Sequence, residues 1–316
     1  MTASTHKLLS AALLALVACA ESEESPRALP EGAAHAPLSV YVVNEPLRSF
    51  ARRIGAGQVE VSFPVPPGID PAHWSPGAET LADYQDAELI LLNGAGYASW
   101  VARASLPRAA VVDTSAAARD DLIEIREGVT HQHGPDGEHR HLGTAFTTWL
   151  DPQLATLQAR AVAAAFQAAR PESADAFRAN LASLESELSS LDARLAQATR
   201  GLEGAPVLFS HPVYQYFERR YGLNGHSLDW EPDAHPADAA WASLDAVLAR
   251  HPAELILWEA EPLDETRRAL EERGVRSVVF APGGGQDPEG EDWFAVMADN
   301  AVRLEEALLA PPGSQR

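Results

Sequence analysis

Histidine is the chain's main supply of ligand chemistry. Eleven are present, and four fall within one short stretch, His131-Gln132-His133-Gly134-Pro135-Asp136-Gly137-Glu138-His139-Arg140-His141. Side chains of an extended strand repeat with period two, so each His-x-His pair points to one face. Pro135-Asp136-Gly137 between the pairs is turn chemistry. The spacing predicts a hairpin loop over residues 130–142 offering up to four imidazoles, ligands suited to Zn2+, Cu2+ or Ni2+. The plainer alternative is an exposed polar loop with weak, adventitious metal affinity.

His211, in Phe209-Ser210-His211-Pro212, stands just past the end of a predicted strand, where ligand-contacting residues gather in open α/β sheets. His73, on the loop from Pro66 to Trp74, has the same standing. Glu259 and Glu261 follow a predicted strand at 255–258 and could ligate a cation, and Asp229 and Glu231 extend the same idea. His226, His235 and His251 have no partner spacing and read as surface residues in loops or at helix ends. No Gly-x-Ser-x-Gly elbow, Walker loop or His-Glu-x-x-His occurs, and Gly94-Ala95-Gly96 lacks the third glycine of a dinucleotide fingerprint. No nucleophile and base are assembled by motif, so the chain reads as a binding protein and not an enzyme.

These residues need a scaffold, and the apolar pattern supplies one. Strand-length runs at 38–43, 59–65, 88–92 and 110–112 alternate with helical stretches at 48–54 and 78–86, which implies a parallel sheet covered on both faces. A second such set has strands at 207–210, 255–258 and 278–280, with helices at 213–221, 239–250, 265–273 and 292–309. Between them lie an Ala-rich helix at 152–169 and the clearest period in the chain: Phe177, Leu181, Leu184, Leu188, Leu191 and Leu195. Steps of four and three put all six on one stripe of a helix over 173–199, roughly 40 Å long at about 1.5 Å per residue. The stripe suits a strut between two lobes; a coiled-coil dimer would use the same spacing, but fewer than four heptads are present. The expected fold is α/β, two lobes with parallel sheets joined by one long helix and a ligand cleft between them. The lobes are placed at 37–150 and 201–316, with the helical segment at 151–200.

The N-terminal 18 residues read as an export signal: His6 and Lys7 precede an apolar stretch too short to span a membrane, which takes about 20 residues. The stretch ends Leu16-Val17-Ala18-Cys19, similar to a bacterial lipobox, which makes Cys19 the expected lipidation site and residues 19–36 a tether. Cys19 is the only cysteine, so no internal disulfide or thiolate metal cluster is possible. A net charge of −21 argues against nucleic acid and against docking on an anionic membrane surface.

Taken together the motifs resemble the substrate-binding proteins of bacterial zinc and manganese ABC importers. The resemblance rests on Val65-Pro66-Pro67-Gly68-Ile69-Asp70-Pro71, on Asp86-Ala87-Glu88-Leu89-Ile90 with Asn93-Gly94 and Trp100, and on Trp149-Leu150-Asp151-Pro152. It continues through Ser210-His211-Pro212, Tyr216-Phe217 and Tyr221-Gly222-Leu223, and spans residues 37–308. It implies a monomeric, exported, lipid-anchored receptor that passes Zn2+, or secondarily Mn2+, to an ABC permease. Three histidines and a carboxylate or water form the family's usual site. His211 matches the third histidine; the other positions hold Ala72, with His73 one residue later, Thr147 and Ala281. The ligand set implied is therefore a rearranged one of His211, His73 and His139 or His141, with His131, His133 and Glu259 as further candidates. Two alternatives stand beside it: metal capture on the loop with the cleft used otherwise, or a fold retained for adhesion, metal storage or a metal-chaperone role.

Overall fold

In the computed structural model, which describes residues 36–125, 130–132, 138–140, 143–287 and 290–309, the chain builds two four-stranded sheets of the same topology. The first lobe runs β1 (Leu38–Val42), α1 (Glu45–Gly55), β2 (Val59–Ser62), α2 (Ala78–Asp86), β3 (Leu89–Leu92) and β4 (Val111–Asp113). Its strands pair in parallel in the order β2-β1-β3-β4. Central parallel strands are covered on both faces, which is why β3 reads Leu-Ile-Leu-Leu with no polar alternation. Asn44 starts α1 by accepting a hydrogen bond from the Leu47 amide, and Pro46 fits the first turn, where no amide is needed.

Two small antiparallel pairs follow. β5 (Glu124–Ile125) pairs with β8 (Gly143–Thr144), and β6 (Thr130–Gln132) pairs with β7 (Glu138–Arg140), setting His131 opposite His139. The backbone therefore has the hairpin arms expected of the histidine-rich segment. His133 and His141, and the side chains of His131 and His139, lie outside the described residues, as does Cys19.

After α3 (Pro152–Ala169) and α4 (Ala174–Ala198) comes the second lobe: β9 (Pro206–Phe209), α5 (Gln215–Tyr221), β10 (Asn224–Ser227), α6 (Asp238–Leu248), β11 (Leu255–Trp258), α7 (Asp264–Glu271), β12 (Arg276–Val279) and α8 (Trp293–Leu309). Its parallel order is β10-β9-β11-β12. The 25-residue α4 is about 37 Å long. Phe177, Leu184, Leu188, Leu191 and Leu195 on its stripe are buried, and Leu181 packs at the margin of the same core. α1, α3 and α8 all pack on α4, so the stripe is consumed inside the chain and is no coiled-coil seam. The helix reaches both lobes: Asn180 donates to the Ile54 carbonyl of α1 at 2.9 Å, and Asp192 accepts from the Tyr221 hydroxyl of α5 at 3.0 Å.

Two strand expectations need correction. The run expected to extend to Val65 stops at Ser62, because Pro64 has no amide to donate and the carbonyls of Phe63 and Val65 accept instead from Gln286 Nε2, at 3.0 and 2.5 Å. β10 has no apolar run to announce it: Asn224-Gly225-His226-Ser227 is an edge strand held by backbone pairing to β9. Gly225 is needed there, since a Cβ would lie 2.1 Å from the Phe209 ring. His226 is thus a half-buried strand residue, its ring 5.8 Å from that of His251, and His251 Nε2 lies 3.2 Å from the Val207 carbonyl. His226 therefore sits in a strand and not in a loop, whereas His251 lies just past the end of α6 as expected, half-buried.

Hydrogen bonds tie the lobes together beyond α4. Trp149 Nε1 donates to the Pro282 carbonyl at 2.8 Å, Thr147 Oγ1 to Val213 at 2.5 Å, Tyr216 Oη to Ala145 at 2.8 Å, and the Glu45 amide to Gly284 at 2.9 Å. Glu45 itself is 2% exposed, and burial pushes its carboxyl up to about 7 against the pull of Arg48, 2.7 Å away. The folded state therefore holds a proton that the unfolded chain loses near pH 4.5, so stability from this group falls as pH rises from about 4.5 through 7. Glu45→Gln removes that dependence. Between pH 4.5 and 8 the stability of the wild type should fall relative to the variant by roughly 3 kcal/mol, read by denaturant titration at both pH values.

Candidate metal centre

In an open parallel sheet the ligand crevice lies beyond the carboxyl ends of the strands, where the strand order reverses. Here the reversals fall between β1 and β3 and between β9 and β11, and the two are filled with different chemistry. At the first, Asn93, which is 1% exposed, forms a neutral hub. Its Oδ1 accepts from Asn44 Nδ2 at 3.2 Å, Gln158 Nε2 at 3.0 Å and Thr148 Oγ1 at 3.3 Å, and its Nδ2 donates to the Phe146 carbonyl at 2.8 Å.

The second reversal carries charge. Backbone bonds continue past the strand ends and set three segments side by side: Ser210 N to Leu257 O, Leu228 N to Phe209 O, and Trp230 N to Ser210 O, at 2.7–2.9 Å. His211 at the end of β9 is 3% exposed. Its Nδ1 lies 2.9 Å from Glu259 Oε1, at the end of β11, and its Nε2 lies 3.5 Å from both Asp229 Oδ1 and Glu231 Oε1, beyond the end of β10. Asp229 has φ +65°, a left-handed conformation that aspartate tolerates better than most residues. Burial alone favours the neutral imidazole. The hydrogen bond to Glu259 and the charges of Glu259, Glu231 and Asp229 outweigh it and raise the His211 pKa above its ordinary value.

The two kinds of distance have different meanings. At 2.9 Å Glu259 is within hydrogen-bond reach of Nδ1, and in the tautomer that donates there the Nε2 lone pair is turned toward Asp229 and Glu231, where it can take an ion. A separation of 3.5 Å is long for a hydrogen bond and lies within the span of two donors that share one ion. Donor atoms of His211, Glu231 and Glu259 all come within 4.8 Å of one another; Asp229 reaches His211 but is not part of that mutually close set. One imidazole with carboxylates can hold Zn2+ or a harder divalent cation such as Mn2+.

The centre opens on an interlobe cavity of about 610 Å3. His73 lines the same cavity but is not in the donor cluster; its Nε2 is 3.8 Å from Asp70 Oδ2, within the turn where the Ala72 amide bonds Asp70 Oδ1 at 2.9 Å. Spacing along the chain places His73 on a loop but does not say which wall that loop joins. His211 and Glu259 do come together, as strand-end residues of neighbouring strands. Asp229 and Glu231 could not be joined to His211 on sequence because the strand that delivers them has no apolar signature. Glu261 lines the cavity outside the cluster.

Two parallel α/β lobes bridged by a long helix, with a charged centre facing the cleft, define a two-lobed substrate-binding protein. A sequence profile of the family described as "Zinc-uptake complex component A periplasmic" matches residues 40–307, and the chain belongs to that family. The family consists of binding components of transport, and the chain is not an enzyme. It is 24% identical over 310 residues to the high-affinity zinc uptake system protein ZnuA of Bacillus subtilis, covering 96% of each chain. It is 24% identical over 315 residues to the zinc-binding protein AdcA of Streptococcus pyogenes, covering 94% of this chain but 60% of that longer one. Its fold superposes on the metal-dependent lipoprotein YcdH of Bacillus subtilis with a TM-score of 0.72 at 22% identity, covering 85% of this chain and 98% of that one.

The Asn93 hub holds the segment that forms the cavity's first-lobe wall, so Asn93→Ala should leave buried donors and acceptors unmatched. The expected loss is about 3 kcal/mol of unfolding free energy, measured by urea denaturation.

Proposed function

We propose that the chain is the metal-receiving component of an uptake system, that its cargo is most simply Zn2+, and that the ion is held by His211 Nε2 with Asp229 and Glu231. In this reading Glu259 orients the ring from behind, as carboxylates commonly do for metal-bound histidine. The observation that carries it is the two-sided imidazole, at 2.9 Å from one carboxylate and at ion-spanning distance from two others. Family membership and the zinc-uptake relatives support the choice of cargo. Residues 1–18 are read as the export signal, Cys19 as the lipid anchor and an ABC permease as the partner, which agrees with the family's periplasmic description. Among the described residues no helix is long and apolar enough to cross a membrane.

Calorimetric titration of the metal-stripped protein with Zn2+ tests the reading. One site with Kd below about 1 μM is expected; His211→Ala should weaken it by about 100-fold or more, and Glu259→Gln by about tenfold. Unchanged affinity in His211→Ala would refute the site.

The histidine-rich segment is proposed as a separate collecting site, since β6 and β7 pair with each other and join neither main sheet. Deleting residues 130–142 in the wild type and in His211→Ala should then give additive losses in the same titration. Coupling above about 0.5 kcal/mol would instead put His139 or His141 in the cleft site.

A further inference from the structure

The cargo site is one-sided, and the cleft is far larger than an ion. We propose that the cleft takes its metal as a complex with a small, neutral, planar nitrogen-donor chelator, the ion against His211, Asp229 and Glu231 and the chelator's body against the first lobe. The inference rests on the metal site proposed above and adds the form in which the metal arrives.

All the proposed protein donors belong to the second lobe. The positions at which the family pattern would bring further ligands hold Ala72, Thr147 and Ala281, and the Thr147 hydroxyl is spent on the Val213 carbonyl at 2.5 Å. A metal bound there keeps coordination positions directed at the opposite wall. That wall carries His73 and Asp70 on one loop and, beside them, an apolar and aromatic face: Ile69, Tyr97, Phe146 and Trp149 line the cavity, with Tyr97 in edge contact with Phe146 and Trp149 at centroid distances of 5.3 and 5.4 Å. None of the four is a good metal ligand, whereas a flat organic body packs well on such rings.

Size points the same way. A cavity of about 610 Å3 is in the range that holds small organic ligands, and the hydrogen bonds from Trp149 to Pro282 and from Thr147 to Val213 fix the spacing of its walls. Tyr97 adds an independent sign of an organic occupant. It is 7% exposed, and its hydroxyl, at the cavity wall, has no hydrogen-bond partner among the described residues. A buried hydroxyl is normally satisfied, and a ligand carrying an acceptor would satisfy this one.

Charge selects the chelator's class. Glu231, Asp233, Glu259 and Glu261 all line the cavity on the second-lobe side. A metal complex that keeps the ion's positive charge is attracted there, and one neutralised by an anionic chelator is not. A neutral diimine meets both demands, because it leaves the complex cationic and presents a flat aromatic face.

The probe is 2,2′-bipyridine. The full metal-stripped chain is mixed with Zn2+ alone, with bipyridine alone and with both, and the species are counted by native mass spectrometry. The expected result is a 1:1:1 complex of protein, zinc and bipyridine, with zinc retained at least about tenfold more tightly when bipyridine is present. Phe146→Ala should lower the ratio of ternary to binary affinity by about tenfold. If bipyridine strips the zinc and leaves apo-protein, the inference fails while the metal site stands. If Zn2+ binds in neither arm, the metal site fails and the inference with it.

Discussion

The side chain of Asn93 fixes where the first lobe presents its wall to the cleft. Three donors converge on its Oδ1 from the end of β1, the turn before α3 and α3 itself, while its Nδ2 takes the Phe146 carbonyl. With its single amide group saturated and buried, the segment from Ala145 to Trp149 has little freedom, and that segment reaches across to Val213 and Pro282. Buried networks of this kind specify geometry because each unmatched member is costly. The orientation of the two lobes is thus set from inside one of them.

Against that hub the second lobe differs only in chemistry. Strand order is the same in both sheets, so Asn44 and Asn93 stand at the ends of β1 and β3 as His211 and Glu259 stand at the ends of β9 and β11. One crevice is closed by neutral amides that satisfy one another. The other gathers an imidazole and carboxylates whose mutual repulsion a cation relieves. A single topology thereby yields one neutral, self-satisfied switch point and one charged switch point that faces the cleft.

Much of this was legible in the sequence, for identifiable reasons. α3 spans its expected limits because Asp151 and Pro152 mark its start and an Ala-rich run leaves little competing signal. α4 falls within a residue of its expected ends, since a stripe of six large apolar residues has one helical solution. β11, buried along its whole length, was equally plain. β10 was not legible, because its four residues are polar or glycine and its place comes from backbone pairing and the close approach at Gly225. That loss carried into the site: without β10, Asp229 and Glu231 had no stated neighbour, whereas His211 and Glu259 could be placed by the strand-end rule. Which wall His73 joins depends on how two lobes face each other, and no local spacing encodes that.

Trp230 lies in the chain between Asp229 and Glu231, buried at 6% exposure, its ring 4.7 Å from that of Trp241 and 6.4 Å from that of Trp258. Indoles this close share their excited states, and the sign and size of their near-ultraviolet circular dichroism depend on their mutual angle, 70° for the nearer pair. A shift of the 229–231 backbone that carries those carboxylates would turn the Trp230 ring and with it that angle. The second lobe therefore carries an intrinsic optical reporter of its own acidic centre, with no label attached.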